Sequence, residues 1–137
     1  MHNKRPSWEE YAMSLAEVAA TRSEDPFMKV GSCVLDKHHR VVGLGYNGLA
    51  AGKNVTEVFW HDRDERRKYM IHAEPNALFH VKRGDGELLA CTLLPCSACA
   101  TLIAGHGIKR VIYKELYKRD TSGLEIFEFY NISCEKV

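Results

Sequence analysis

Leu88-Leu89-Ala90-Cys91-Thr92-Leu93-Leu94-Pro95-Cys96-Ser97-Ala98-Cys99-Ala100-Thr101-Leu102-Ile103-Ala104 holds the change of backbone on which the fold turns. Leu88 to Leu94 reads as a short apolar strand bounded by turn signals. Pro95 opens a helix from Cys96 to Ala104, since its fixed φ suits a helix start. Gly105 and Gly107 close that helix, and Lys109 to Tyr113 supplies the next strand. Strand, helix and strand in this order form a crossover unit of a parallel sheet.

Working back toward the N-terminus, Met70 to Lys82 is predicted helical, with apolar residues at Ala73, Ala77, Leu78 and Val81 and a break at Gly84-Asp85-Gly86. Lys29 to Asp36 and Val41 to Tyr46 are predicted strands. They are joined as a hairpin through Lys37-His38-His39-Arg40, and Asn47-Gly48 ends the second. Ser7-Trp8-Glu9-Glu10 matches a capping box. It starts a helix whose apolar stripe is Trp8, Tyr11, Ala12, Leu15, Val18 and Ala19, and which must stop before Asp25-Pro26. Leu49 to Lys68 is the least regular stretch, and its run Asp62-Arg63-Asp64-Glu65-Arg66-Arg67-Lys68 reads as a solvated face. A helix from about Ser122 to Tyr130 and a strand near Ile132 to Lys136 complete an α-β-β-α-β-α-β-α-β order. That order specifies an α/β fold: an antiparallel hairpin continued by parallel crossovers, with helices on both faces.

With 137 residues, 45 % of them apolar, the chain suits one domain, residues 1–137, and neither repeat nor linker divides it. Lys and Arg number 19 against 18 Asp and Glu, so a net charge of +1 offers no hold on a polyanion, and nucleic acid is not an expected partner. No apolar run reaches the roughly 20 residues that cross a bilayer, so no membrane is expected either. Met1-His2-Asn3-Lys4-Arg5-Pro6 leads into a charged amphipathic stretch and does not read as a signal peptide. Five cysteines, an odd set, point to a reducing compartment, and a cytoplasmic location is expected.

Cys96 and Cys99 stand three residues apart at a helix start, where both thiols project to one side and backbone N–H groups favour thiolates. With His72 they make three ligands of the kind Zn²⁺ takes. Three ligands leave a tetrahedral position open, the mark of a catalytic rather than a structural site. Glu74 lies two residues past His72, close to that position, where a carboxylate can shuttle protons during hydrolysis at an electrophilic carbon. A redox C-x-x-C pair would leave His72 and Glu74 without a purpose, and a structural zinc knuckle would need a fourth ligand. Cys33, Cys91 and Cys134 read as inert core thiols. His106 reads as a helix C-cap, His80 as a surface or packed residue, and His38 and His39 as loop residues; His61 is retained as a distant site candidate.

His72-Ala73-Glu74 followed by Pro95-Cys96-Ser97-Ala98-Cys99 resembles the zinc-dependent deaminase signature. The likeness extends through Arg22-Ser23-Glu24-Asp25-Pro26, Lys29-Val30-Gly31, Gly45-Tyr46-Asn47-Gly48 and Gly107-Ile108-Lys109-Arg110-Val111-Ile112-Tyr113, which places the chain nearest the deoxycytidylate deaminase branch. The resemblance implies a three-layer α-β-α cytidine deaminase-like fold around a mixed five-stranded sheet. It implies Zn²⁺ on His72, Cys96 and Cys99, with Glu74 as general acid/base, in the hydrolytic conversion of dCMP to dUMP and ammonia that feeds thymidylate synthesis. Ala73 and Leu94 would read the base edge, Asn47 the sugar, and Lys29, Arg22 and Tyr117 the 5′-phosphate. A modified dCMP, deoxycytidine or adenosine in tRNA as substrate, or a zinc-stabilised module without catalysis, are the alternatives. Relatives form homo-oligomers, hexamers or dimers, and larger ones bind dCTP and dTTP as effectors. This chain departs from the pattern at Phe27, where Ser is common, at Leu94, and in Leu49-Ala50-Ala51-Gly52, which lacks the usual proline of the effector region.

Overall fold

The computed structural model describes residues 4–137; the reading of the first three residues as part of a non-exported N-terminus lies outside the described residues. A five-stranded sheet runs in the order β2-β1-β3-β4-β5, built from β1 (Gly31–Asp36), β2 (Val41–Tyr46), β3 (Gly86–Leu93), β4 (Arg110–Glu115) and β5 (Ser133–Lys136). β1 pairs antiparallel with both β2 and β3, whereas β3–β4 and β4–β5 are parallel. The predicted hairpin is present. The chain then crosses over β1, so that β3 runs parallel to β2 without touching it.

One layer is α1 (Trp8–Ala20), packed on Cys33, Leu35, Leu88, Ala90 and Ile112. The other layer holds α4 (Ala73–Leu78), α5 (Ser97–Gly105) and α6 (Gly123–Phe129), which enclose Val34, Leu89, Cys91, Val111 and Phe127. The three-layer expectation is met.

The capping box of α1 forms as read: the Glu10 N–H donates to Ser7 Oγ at 3.0 Å and the Ser7 N–H to the Glu10 carboxylate at 2.7 Å. Its buried face is different. Ala12, Met13, Ala16, Ala19 and Ala20 face the sheet, while Trp8, Tyr11 and Val18 are exposed. The cause is a close approach to β1. A Cβ at Gly31 would stand 1.8 Å from the Ala16 carbonyl oxygen, so only the alanine side of the helix fits there. Trp8 instead stacks on the His39 ring, with centroids 4.5 Å apart.

Two other expectations need correction. The helix placed over Met70–Lys82 shortens to Ala73–Leu78, because Ile71 is extended and exchanges backbone hydrogen bonds with Gly48 at 2.8 and 3.0 Å. The charged run is not simply a solvated face. α2 (Glu57–His61) precedes it, and α3 (Arg63–Tyr69) is built from it, with Asp62 Oδ1 accepting the Glu65 N–H at the start of α3. Other boundaries shift by one or two residues, the ordinary scatter at element ends.

Because β1 is antiparallel to its neighbours, its N-terminal end lies at the same sheet edge as the C-terminal ends of β2, β3 and β4. The Gly31–Tyr46 pairing, the Gly31 N–H to Thr92 Oγ1 bond and the Leu94 N–H to Glu115 carbonyl bond tie that edge together. Residues leaving the strands there, around 28–30, 47, 94–96 and 117, are thereby brought to one place. Open α/β sheets bind ligands at this kind of edge.

Candidate active site

Two helix N-termini meet at that edge. His72 is the N-cap of α4 and Cys96 the N-cap of α5, and neither side chain caps its own helix. Side chains at this position normally satisfy orphan N–H groups; here the imidazole and the thiol turn toward each other. His72 Nδ1 lies 3.2 Å from Cys99 Sγ and 3.6 Å from Cys96 Sγ, and the three ligand atoms all fall within 4.8 Å of one another. Tetrahedral zinc with the usual Zn–S and Zn–N lengths needs ligand–ligand edges of about 3.5–3.8 Å. One nitrogen and two sulfurs at this spacing fit that ion.

Cys96 is the thiolate of the pair: donation from the Cys99 thiol, aided by His72 and against the cost of burial, holds it down at about 4. The proton it lacks is retained by Cys99, which is pushed up by that same bond and by burial. Cys96 raises the pKa of His72 in turn.

Glu74, only 4 % exposed, has its carboxyl pushed up chiefly by burial, with its own backbone N–H and His72 opposing. A carboxyl raised in this way is suited both to accept and to return a proton. It lines a cavity of about 320 Å³ together with His72, Ala73, Cys96, Leu94, Asn47 and Tyr117. Seven of the ten residues singled out from sequence thus share this cavity, and Cys99 closes the ligand set behind it. Asn47 stands at its wall with its amide engaged, Oδ1 accepting the Val30 N–H and Nδ2 donating to the Met28 carbonyl, each at 2.9 Å.

Arg22 and Lys29 are not brought to the cavity. The Arg22 guanidinium is exposed and lies over the Tyr46 ring, 5.8 Å from its centroid, and Lys29 Nζ donates to the Ser23 carbonyl. Four other arginines line the cavity: Arg63, Arg66, Arg67 and Arg119. Arg66 donates from Nη1 to Asp25 Oδ1 at 3.2 Å, lies 4.9 Å from the Phe27 ring centroid, and keeps a buried Nε without a partner among the described residues. The signal was present in the sequence, since Arg63, Arg66 and Arg67 at i, i+3 and i+4 share one helix face. It was hidden by reading a run of alternating charge as solvent-facing. His61 does not line the cavity; its ring packs edge-on against Phe27.

The family described as "Cytidine and deoxycytidylate deaminase zinc-binding region" matches residues 6–115, and the chain belongs to that family. Zinc is the metal of the matched region, and the His72, Cys96 and Cys99 cluster fits it. Within the family the similarity is to deoxycytidylate deaminases. That of Mycobacterium phage D29 is 41 % identical over 123 residues, covering 80 % of this chain and 95 % of the phage protein. The Homo sapiens protein is 37 % identical over 113 residues, covering 77 % of this chain. This chain spans 64 % of the length of the Homo sapiens, Mus musculus and Pongo abelii proteins it matches. The crystal structure of dCMP deaminase from the cyanophage S-TIM5 in complex with dCMP and dUMP superposes with a TM-score of 0.80 at 29 % identity, covering 98 % of this chain and 100 % of that one.

Proposed function

We propose that the protein deaminates dCMP to dUMP with release of ammonia, acting as a single catalytic domain over residues 1–137 and supplying dUMP for thymidylate synthesis. The observation that carries this reading is a nitrogen–sulfur–sulfur cluster beside a buried carboxyl, in a cavity also lined by four arginines. A nucleoside brings no charge to such a cavity, whereas a nucleotide brings a phosphate dianion, for which guanidinium forks are matched donors. The likeness to deoxycytidylate deaminases by sequence and to a dCMP- and dUMP-bound structure by fold supports the same substrate.

In this reading His72, Cys96 and Cys99 hold zinc, which when bound supplies the Lewis acidity that makes water nucleophilic near neutral pH. Glu74 would take the proton that water gives up and deliver it to N3 of the cytosine ring; it would then take the hydroxyl proton of the C4 adduct and pass it to the amino group, which leaves as ammonia while C4 becomes a carbonyl. Ala73 and Leu94, at a helix start and a strand end, offer backbone groups to the edge of the base. Asn47 shapes the sugar wall, and Tyr117 with Arg63, Arg67 and Arg119 receives the phosphate. Arg22 and Lys29, assigned to phosphate from sequence, act only by shaping the loop between α1 and β1. A homo-oligomer and a cytoplasmic setting for the five free cysteines belong to the same reading, whereas the departure at Leu49-Ala50-Ala51-Gly52 speaks against dCTP or dTTP as effectors.

The test is substrate choice. Zinc-loaded protein given dCMP, deoxycytidine, dCTP or an adenosine-bearing tRNA hairpin, with ammonia release followed, is expected to prefer dCMP over deoxycytidine by about 100-fold or more in kcat/KM. Equal turnover of the nucleoside, or turnover of the RNA alone, contradicts the assignment.

A further inference from the structure

We propose that Asp120 is a positioning residue for the zinc ligand Cys96: its carboxylate caps α5 from outside the helix and so fixes where the Cys96 thiol stands. The inference rests on Cys96 as a ligand and not on the choice of nucleotide. It begins with topology. β3 and β4 are parallel neighbours, so the chain leaves both at the same edge. Residues 94–97 carry β3 into α5, and residues 116–122 carry β4 into α6. Where these two segments leave the sheet, the Leu94 N–H still donates to the Glu115 carbonyl at 2.8 Å. Cys96 lies two residues further on, past the end of the β3–β4 pairing.

Asp120 supplies the hold that strand pairing no longer gives. Its Oδ2 accepts the N–H of Ser97, the first helical residue of α5 and the next residue after Cys96, at 2.8 Å. Its Oδ1 accepts the Ser122 N–H at 3.1 Å and the Ser122 hydroxyl, at the start of α6. A helix start leaves N–H groups without intrahelical partners, and an acidic side chain is favoured beside them. Cys96 does not meet that need itself, because its thiol turns toward His72. The Asp120 N–H donates to the Tyr117 carbonyl at 3.1 Å, closing the turn that brings Tyr117 and Arg119 to the cavity. Packing sets the separation of the two segments: a Cβ at Gly123 would stand 2.5 Å from the Pro95 carbonyl oxygen, so α6 begins pressed against the residue before Cys96. The Asp120 bonds set their register. A ligand is only as well placed as the groups that support it. Asp120 acts through the Ser97 backbone and is not itself one of the ligands.

The test is zinc affinity, measured on the zinc-loaded protein by competition with a chromophoric chelator, with circular dichroism checking that each variant stays folded. Asp120→Ala is expected to weaken zinc binding about tenfold, the lower end of effects from supporting residues. Asp120→Asn, which keeps an acceptor, is expected to recover most of the loss. Ser97→Pro deletes the N–H at a helix position that suits proline, and Cys96 before it already has the extended backbone that a following proline requires. It is expected to weaken binding to a similar degree, and adding Asp120→Ala to it to cost nothing more. Unchanged affinity in Asp120→Ala, equal losses in Asp120→Ala and Asp120→Asn, or additive losses in the double variant overturns the proposal. Should Asp120→Ala not fold, Ser97→Pro alone decides, and unchanged affinity there overturns the proposal. A parent protein that binds no zinc removes Cys96 from the ligand set and this proposal with it. One that binds zinc yet leaves dCMP untouched sinks only the substrate reading, and the affinities still decide this one.

Discussion

His72 and Cys96 each occupy a helix N-cap and leave the cap unmade, which is how two ordinary helix starts become ligands. Their partnership was legible in sequence because H-A-E and P-C-x-x-C carry metal chemistry at fixed spacing. The cationic wall of the cavity was not, because it depends on which long cations point inward. Arg22 and Lys29 are two well-placed cations in the chain, yet one rests on Tyr46 and the other on a backbone carbonyl. Arg67 and Arg119 line the cavity instead. Replacing either by Gln removes a charge-assisted donor worth about 1.5–3 kcal/mol. Steady-state kinetics are expected to show kcat/KM for dCMP falling about 10- to 100-fold, with slow turnover of deoxycytidine unchanged. Equal losses on both substrates would place these arginines in folding rather than in phosphate binding.

At the scale of elements, the type of each strand and of the longer helices followed from periodicity and punctuation. The face of α1 and the start of α4 did not. The apolar stripe from Trp8 to Ala19 obeys a helical period, but steric fit against Gly31 outranks hydrophobicity, and the helix turns its alanines inward. Gly31→Ala is accordingly expected to destabilise by about 3 kcal/mol, since the nearest atom is backbone and has nowhere to go; denaturant unfolding measures it, and an unchanged midpoint contradicts this packing. α4 starts late because Ile71 is needed in extended form to pair with Gly48. Asp120 joins two helix starts: its carboxylate accepts the Ser122 hydroxyl, the Ser97 N–H and the Ser122 N–H, which holds its pKa well below the usual range. Its folded pKa is depressed, so its stabilisation is complete above the unfolded value of about 3.9 and is lost as pH falls below it. Asp120→Ala is expected to be less stable than the parent by a constant margin from about pH 6 to 8, and the margin to shrink below about pH 4. A margin independent of pH throughout would remove Asp120 from this role.

For the whole molecule, one topological fact organises the site. An antiparallel β1 between β2 and β3 delivers the start of one strand and the ends of three others to a single edge, where two helix N-termini face each other. The sequence order predicts the strands and the crossovers, but strand order in space depends on β3 pairing with β1 rather than with β2. No helix among the described residues is long and apolar enough to cross a membrane. The near-balanced charge gives the molecule as a whole no general attraction for polyanions, and four arginines are gathered at the cavity.

The most direct test of the central claim measures zinc per chain and dCMP turnover together, in the parent protein and in Glu74→Gln. The expected result is one zinc per chain in both, with turnover in the variant lower by about 10²–10⁴-fold because the proton carrier is gone while the ligands stay. A parent protein that turns over dCMP without bound metal, or a Glu74→Gln variant that matches the parent rate, contradicts the account.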